Sequence, residues 1–315
     1  MTDNHYRTPD KCNACSGPLK NRFQKVSDPQ TRETFAILQC SICGLGHTSP
    51  LPDDLGRYYA YPYYGNRHSF TLRHCINRRL SYAEKALPAK KEVRLLDIGC
   101  GDGSFLLASR NRGWQVMGTE LNPLPARKQG LDVKGSIEEI DGREQFDCIT
   151  MWHTLEHMRD IPAMLSEVAR LLSPEGKLII AVPDSGGIQA RLFGERWLHI
   201  DVPRHLYHFD ASSLQHCLAA AGFAIERSWH HEFEYDLLGW SQSALNYLMP
   251  THQNLFFNCL TGKRVGAAAA TKGVALVAGW LLTLLALPFI AVETLLKRGG
   301  SLIYVARHAP PGASR

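Results

Sequence analysis

The sequence predicts an α/β fold with a doubly wound, mainly parallel sheet, and three observations support this class. Residues 93–98 form an apolar run that leads into Gly99, Gly101 and Gly103 and then into a helical pattern. Short apolar runs and helical segments alternate as far as residue 229, as parallel strands with crossover helices require. With 315 residues, 44% of them hydrophobic, the chain can form one sizeable domain with appended modules.

The glycine turn that follows the first of these strands indicates a binding site for a nucleotide-like ligand. Glycine has no side chain, so a ligand can approach the backbone N–H groups of such a turn closely. Asp97 and Asp102 flank the turn, and their charges disfavour a pyrophosphate but suit a ligand with a cationic end. Glu120 ends the next strand about 20 residues beyond Gly99, where a carboxylate can accept two ribose hydroxyls. A strand–glycine–helix unit without this chemistry is the alternative.

Residues 97–103, which read DIGCGDG, together with Glu120 resemble the class I S-adenosylmethionine-dependent methyltransferases. The resemblance implies a seven-stranded, Rossmann-like sheet with S-adenosylmethionine bound over its edge. The residues that it assigns to the cofactor are Asp97, Gly99, Gly101, Asp102, Gly103, Glu120, Ser136, Ile137 and Trp152. Ser136 and Ile137 stand where members hold the adenine, and many members carry Asp at the position of this serine. Trp152 is expected beside the methionine end of the cofactor.

The segment that follows the predicted fourth strand, residues 146–151, is similar to the quinone-biosynthesis O-methyltransferases and their broad relatives. Residues 155–157, which read LEH, carry this likeness. Trp152 and His153 precede them, at the carboxyl edge of the sheet where chemistry occurs in such folds. Glu156 and His157 favour a structural role, in which they cap and orient the next helix.

Four cysteines near the N-terminus predict a structural zinc site. Cys12 and Cys15 form one C-x-x-C pair, and Cys40 and Cys43 form another; four thiolates satisfy Zn²⁺ tetrahedrally with no open position. The first twenty residues do not read as a secretory signal, so we expect metal ligands in a reducing cytoplasm rather than disulfides. Two unrelated pairs or a redox C-x-x-C are the alternatives. Residues 1–50 are therefore interpreted as a zinc-ribbon-like module.

A tyrosine-rich segment, residues 51–91, connects this module to the predicted sheet. Two interpretations stay open: the tyrosines form a packed connector between domains, or they form a lid, as the segment does in similar ribbon-bearing methyltransferases. The tyrosines concerned are Tyr58, Tyr59, Tyr61, Tyr63 and Tyr64. Residues 72–87 predict an amphipathic helix whose wet side carries arginines, Arg79 among them.

Two histidines are the candidate general bases. Methyl transfer from a sulfonium is an in-line displacement that needs a close acceptor, a dry site and one base. Residues 201–209, which read DVPRHLYHF, resemble the stretch that carries the substrate-side histidine in ribbon-bearing sugar methyltransferases. His205 is therefore the first candidate and His153 the second. Those relatives often have a carboxylate where Arg204 stands, and this departure favours an oxygen acceptor over carbon methylation.

An uncharged apolar segment, residues 273–292, is long enough to span a bilayer. Basic pairs at residues 263–264 and 297–298 flank it, as suits an anionic cytoplasmic surface. Residues 301–307 read as the seventh strand, which in this family lies antiparallel between the fifth and sixth, so a single crossing would remove it from the sheet. We therefore expect an insertion that enters the membrane face and returns, bent near Pro288. A buried core helix or a dimer interface is the alternative.

The formal net charge of +5 is mild and its lysines and arginines are scattered, which argues against a nucleic-acid partner. The sequence thus predicts a cytoplasmic, membrane-associated methyltransferase that O-methylates a small or lipid-linked acceptor, either a quinone precursor or a glycan intermediate. A nucleotide-sugar methyltransferase and a non-catalytic, membrane-tethered cofactor-binding module are the alternatives. The predicted division is a ribbon (residues 1–50), a linker or lid (51–91), a methyltransferase domain (92–235), a hydrophobic insertion (236–298) and a last strand with its tail (299–315). The sequence specifies no oligomeric state.

Overall fold

The computed structural model describes residues 6–59, 71–87, 92–263 and 266–310. The chain divides into two compact units, each assembled from segments that are far apart in sequence. Of the described residues, the ribbon unit comprises 6–59, 183–214, 230–263 and 266–302, and the sheet unit comprises 71–87, 92–182, 215–229 and 303–310. The four N-terminal cysteines and the long apolar segment belong to the ribbon unit, and the glycine turn belongs to the sheet unit.

The strands of the described residues are β1 (Tyr6–Arg7), β2 (Leu19–Ser27), β3 (Thr34–Cys40), β4 (Gly46–Ser49), β5 (Leu51–Pro52), β6 (Arg94–Ile98), β7 (Gln115–Thr119), β8 (Val133–Lys134), β9 (Phe146–Trp152), β10 (Leu172–Pro183), β11 (Tyr207–His208), β12 (Phe223–Trp229) and β13 (Ser301–His308). The α-helices are α1 (Leu72–Ala86), α2 (Ser104–Arg110), α3 (Leu124–Arg127), α4 (Ile161–Leu171), α5 (Ile188–Phe193), α6 (Ala211–Ala220), α7 (Phe233–Leu248), α8 (Leu255–Leu260) and α9 (Ala269–Leu296).

The sheet unit is built on a seven-stranded sheet with the order β12-β13-β10-β9-β6-β7-β8. The pairs from β10 to β8 are parallel, whereas β12 and β13 pair antiparallel. Consecutive residues such as Leu95 and Leu96 point to opposite faces and are both buried, so both faces of the sheet are covered. The predicted doubly wound sheet is confirmed, including the place of the last strand between β12 and β10.

The ribbon unit contains a four-stranded antiparallel sheet with the order β11-β4-β3-β2. Strands β2 to β4 come from the N-terminal fifty residues, but β11 comes from a segment far along the chain. The core of this unit joins Phe35 and Ile37 of β3 to Trp197, to Trp240 of α7 and to Ile290 of α9. The N-terminal strands, the segment around residue 200 and the long helix therefore share one hydrophobic core.

Helix α9 is 28 residues long and, in the described part of the chain, is the helix with the length and apolar composition to cross a membrane. One of its faces packs against α7 and α8. The buried residues of that face recur every three or four positions and are Ala275, Gly279, Thr283, Ala286, Ile290 and Glu293. A Cβ at Gly279 would lie 2.4 Å from the ring of Phe256, so glycine permits the close approach of α8.

The expected return of the chain near Pro288 is wrong, because α9 continues past this residue without interruption. Thr283 and Ala286 before the proline, and Ile290 and Glu293 after it, lie on the same buried face. Packing on both sides of Pro288 offsets the backbone hydrogen bond that proline removes. The chain turns back toward β13 at Gly299 and Gly300, after the end of α9, and not at a point inside this helix.

Candidate functional site

The three glycines of the turn after β6 have different roles. All three have positive φ, at +74° for Gly99, +59° for Gly101 and +83° for Gly103, where residues with a side chain are strained. A Cβ at Gly99 would lie 2.6 Å from Thr154 Oγ1, and one at Gly103 would lie 2.4 Å from Leu131 Cδ1. At Gly101 a Cβ would meet nothing within 4 Å. Gly101 is thus the open point of the turn, where a ligand can approach the backbone.

Two carboxylates shape this open point. Glu120, directly after β7, accepts a hydrogen bond from the Gly101 N–H at 2.8 Å. Asp102 accepts one from the Ser104 N–H at 2.9 Å, at the start of α2. Glu120 therefore lies beside Gly101, and its contact with a ribose stays a prediction. Asp102 also binds the backbone at the start of α2.

Asp97 is a buried carboxylate at the end of β6. Its side chain is 3% exposed and accepts a hydrogen bond from the Thr150 hydroxyl at 2.6 Å. Burial raises the pKa of Asp97 to about 7, although the Thr150 hydrogen bond and the charge of Arg79 act to lower this pKa. A buried carboxylate that titrates near neutrality is stabilised by a cation. The ionised Asp97 carboxylate, a buried hydrogen-bond acceptor, therefore fits the ammonium group of a bound amino acid.

Trp152 closes the same edge of the sheet, at the end of β9. Its ring packs edge-on to Phe105, with centroids 5.8 Å apart, and the Arg79 guanidinium lies 5.0 Å from its centroid. The indole Nε1–H of Trp152 and the Nε–H of Arg79 are both buried without a hydrogen-bond partner among the described residues. Two such donors at this edge of the sheet fit an anion, because a buried donor that is left unpaired is costly.

Sequence reasoning missed Arg79 and placed it on the wet side of α1. In the structure Arg79 follows Cys75 and precedes Ala83 by four residues each, and both of these are buried. Residues at that spacing share one helical face. The buried neighbours at i−4 and i+4 are the signal that could have identified it.

The two predicted adenine contacts lie after β8. Ser136 has an extended backbone and precedes the short turn Ile137–Glu139. A hydrogen bond with the Ser136 side chain lowers the pKa of Glu138, and Ile137 is buried in the core of the sheet unit. The adenine contacts of Ser136 and Ile137 stay a prediction.

His153 belongs to the sheet unit and directly follows Trp152. Its backbone is left-handed, with φ +53°, a conformation that costs a residue with a side chain roughly 1–2 kcal/mol and that clusters at functional sites. The His153 N–H donates to the Ala181 carbonyl at 2.8 Å. The Nδ1 atom lies 3.7 Å from the buried carboxylate of Glu156, close enough for this charge to stabilise a protonated imidazole.

His205 belongs to the ribbon unit and is buried. Its Nδ1 lies 2.9 Å from the His199 carbonyl oxygen, which can only accept, so Nδ1 carries the proton of the neutral ring and Nε2 carries the lone pair. The Thr48 hydroxyl donates to the His205 carbonyl at 2.6 Å. The Thr48 side chain thus holds the backbone of this candidate base, and the His199 carbonyl fixes its tautomer.

Arg204, next to His205, is part of a buried ion-pair network. It is 2% exposed, and its Nη2 lies 2.8 Å from Asp28 and 2.6 Å from Asp201. These carboxylates raise the pKa of Arg204 despite its burial, and Arg204 in turn holds the pKa of Asp201 well below its usual range, against the effect of burial. The arginine joins the segment around residue 204 to the end of β2, so its presence says nothing about the acceptor atom.

The four N-terminal cysteines form one cluster, as predicted. Their Sγ atoms all lie within 4.8 Å of one another, with 3.5 Å between Cys12 and Cys43 and 3.5 Å between Cys15 and Cys40, and no disulfide joins them. Four sulfurs about 2.3 Å from one metal stand roughly 3.8 Å apart. Burial raises the pKa of Cys12 to about 11 in the absence of a cation. The donor set fits a closed tetrahedral metal site.

The linker tyrosines are described only in part. Tyr58 is buried and donates a hydrogen bond to Glu33, and Tyr59 donates to the Arg204 carbonyl at 3.3 Å. These two tyrosines pack within the ribbon unit, and the connector and the lid both stay predictions. Tyr61, Tyr63 and Tyr64 lie outside the described residues.

Comparisons with known proteins place this geometry in context. A family model described as a methyltransferase domain matches residues 68–228, just over half of the chain. A ubiquinone biosynthesis O-methyltransferase of Rhodopseudomonas palustris is 32% identical over an alignment of 120 residues. The match covers 35% of this chain and 47% of the relative. The same enzyme of Nitrobacter winogradskyi is 28% identical over 155 residues, which are 44% of this chain and 58% of the relative. The chain therefore spans about half the length of the curated relatives it matches.

Among solved structures, one that is similar to this chain is phosphoethanolamine N-methyltransferase 2 of Haemonchus contortus, in complex with phosphomonomethylethanolamine and S-adenosylhomocysteine. The TM-score is 0.50 at 20% sequence identity, and the match covers 74% of this chain and 53% of that chain. At this level of identity the likeness is one of fold.

Proposed function

We propose that this chain, which belongs to the class I S-adenosylmethionine-dependent methyltransferases, transfers a methyl group to a hydroxyl oxygen of a small or lipid-linked acceptor. The observation that carries the proposal is the arrangement around Gly101. Its backbone is open to a ligand beside Glu120, and the buried Asp97 lies at the end of β6, the strand that precedes this turn. The oxygen acceptor rests on the relatives that are named O-methyltransferases.

The sheet unit supplies the residues that would hold S-adenosylmethionine. Asp97 would hold the ammonium group, Glu120 the ribose hydroxyls, and Trp152 with Arg79 the carboxylate, while Ser136 and Ile137 would contact the adenine. The bound cofactor supplies a methyl group on a sulfonium, which is activated toward a nucleophile. The protein's own task is to exclude water and to hold the acceptor oxygen in line, which supplies most of the acceleration in such a displacement.

His205 is the proposed base, because its Nδ1–H is bound to a carbonyl and its Nε2 can accept the hydroxyl proton. A base in this position contributes typically about 10²–10⁴ in rate. His153 is the second candidate, since the Glu156 carboxylate lies 3.7 Å from its Nδ1 and would stabilise the imidazolium that forms.

We also propose that Cys12, Cys15, Cys40 and Cys43 hold a structural Zn²⁺, and that the enzyme works on the cytoplasmic side of a membrane. The acceptor would be a quinone precursor or a glycan intermediate. The exposed apolar face of α9 supports a location at the membrane, and the relatives named for ubiquinone biosynthesis support a quinone precursor.

The proposal is tested with labelled S-adenosylmethionine and a hydroxylated benzoate, supplied with and without a polyprenyl tail. We expect label on the hydroxyl oxygen, identified by mass spectrometry of the product. The variant His205→Gln should lower turnover about a hundredfold and leave cofactor affinity unchanged, and His153→Gln is its matched comparison. Label on carbon or nitrogen contradicts the acceptor assignment. A loss of turnover in His153→Gln alone shows that His153, and not His205, is the base.

A further inference from the structure

We propose that α9 lies in the plane of an anionic membrane, with its outward face in one leaflet and its inward face on the protein, rather than crossing the bilayer. This inference deepens the membrane part of the proposed function, on which it rests. It names the partner surface as anionic lipid and specifies how the helix meets it.

The outward face of α9 is apolar along its length apart from Thr294. Its large apolar side chains are 45–83% exposed, and they are Val274, Val277, Trp280, Leu281, Leu284, Leu285, Leu287, Phe289, Val292, Leu295 and Leu296. Between Lys272 and the end of the helix the charged residue is Glu293, which is buried on the other face. An exposed apolar surface of this length marks an interaction site.

The inward face ties α9 to the rest of the ribbon unit along its length and to polar side chains near its end, which argues against a bilayer crossing. It packs on α7 and α8, and α7 buries Ser241, Gln242 and Asn246. Near its end, Glu293 accepts hydrogen bonds from Trp240 Nε1 at 2.8 Å and from Gln189 Nε2 at 3.1 Å. A crossing would carry these polar groups into hydrocarbon, where lipid offers them no partner.

The charges at the two ends of α9 select the lipid. Lys272 lies in the first turns, and Lys297 and Arg298 follow the last residue of the helix and are exposed. A helix of 28 residues is about 42 Å long, so an in-plane orientation places cations at both ends at the depth of one set of headgroups. Basic ends with an apolar face are typical of a helix that lies in an anionic interface. A second copy of this chain would find no charged residue on the outward face to pair with.

The first experiment is flotation of the full-length protein with vesicles of equal parts phosphatidylglycerol and phosphatidylcholine. We expect it to float with these vesicles, and to bind phosphatidylcholine alone at least tenfold more weakly. The variant Leu285→Glu should lower binding tenfold or more. Leu124→Glu is the matched control, because Leu124 on α3 is 60% exposed and Leu285 is 65% exposed, and it should bind as the parent does.

The second experiment separates an in-plane helix from a crossing one. Lys272→Cys and Lys297→Cys are expressed singly, and inverted membrane vesicles from these cells are treated with a membrane-impermeant maleimide. Peptide mass spectrometry then locates the label. Labelling at both positions supports the in-plane helix. Labelling at one of them only shows a crossing and overturns the proposal.

Two further outcomes also overturn it. One is the absence of flotation, and the other is a concentration-dependent dimer that Leu285→Glu disrupts while vesicles bind neither form, which would show a second copy on this face. Methyl transfer to a water-soluble acceptor, measured on the same preparations, tells whether the proposed function fails separately. If the protein methylates this acceptor but does not bind vesicles, the membrane proposal is wrong and the proposed activity stands.

Discussion

Asp97 and Arg204 are both buried charged residues, but their surroundings differ. Two carboxylates surround Arg204, within 2.8 Å, so its charge is neutralised inside the protein. Asp97 accepts a hydrogen bond from the neutral hydroxyl of Thr150, and burial raises the pKa of Asp97 to about 7. A buried ion pair is complete as it stands, whereas a carboxylate with a raised pKa is stabilised further by an incoming cation.

Cofactor affinity should therefore depend on pH through Asp97. The ionised carboxylate binds an ammonium group and the protonated one does not, so affinity should rise with pH below about 7 and level off above it. The slope approaches tenfold per pH unit well below the pKa, which corresponds to about 1.4 kcal/mol. Calorimetric titration between pH 5 and pH 8 measures this. Asp97→Asn should bind weakly with no such slope, and a slope that persists in this variant would assign the titration to another group.

Arg79 should recognise the carboxylate of the cofactor. A lost hydrogen bond to a charged group costs about 1.5–3 kcal/mol, so Arg79→Gln should weaken binding of S-adenosylmethionine roughly tenfold or more. Arg73→Gln on the same helix, where the side chain is exposed, is the matched control. The affinity for decarboxylated S-adenosylmethionine should be the same in all three proteins. A loss for that ligand too would mean that Arg79 supports the site by packing on Trp152.

The sequence predicts the glycine turn and its carboxylates because their chemistry is local, within 25 residues of chain. It does not reveal the tautomer of His205, which depends on the His199 carbonyl, or the partner of Arg204, since Asp28 lies 176 positions away. A charged residue in a motif can be read correctly only when its partners are known.

At the scale of elements, α9 shows what an apolar pattern leaves open. An uncharged stretch predicts a buried or membrane-facing helix, but it does not tell which side chains face protein. The small residues Ala275, Gly279 and Ala286 are the side that packs, and the large ones are the side that is exposed. Strands β6, β9 and β10 were predictable because each contains a local apolar run. The two-residue strand β11 was not, because it forms only where β4 offers an edge.

Two glycines of α9 should respond oppositely to the same substitution. Gly273 has open space where a Cβ would stand, whereas at Gly279 the Cβ would lie 2.4 Å from the Phe256 ring. Gly273→Ala should raise the free energy of unfolding by about 0.5–1 kcal/mol. Gly279→Ala should lower it by about 1–3 kcal/mol, as overpacking does. Denaturant unfolding measures both, and equal effects would show that α9 does not pack closely on α8.

At the scale of the whole molecule, one hydrophobic core of the ribbon unit is assembled from three distant parts of the chain. The strand that carries His47 pairs with β11, and Thr48 holds the backbone at His205. A metal that orders the cysteine loops at the edge of this sheet therefore also supports the segment of the proposed base. Folding that depends on such a metal is expected where a small sheet buries little surface of its own.

Removal of the metal should therefore affect turnover without affecting the cofactor. Elemental analysis should find about one zinc per chain, four thiolates being the complete ligand set, and Cys40→Ser/Cys43→Ser should lose it. Hydrogen exchange in this variant should accelerate in β2 to β4 and in β11, and turnover should fall, while the affinity for S-adenosylmethionine stays the same. Cys259→Ser, outside the cluster, is the matched control. A metal-free protein whose β11 exchanges as slowly as before would show that the cysteine cluster does not hold the segment of His205 in place.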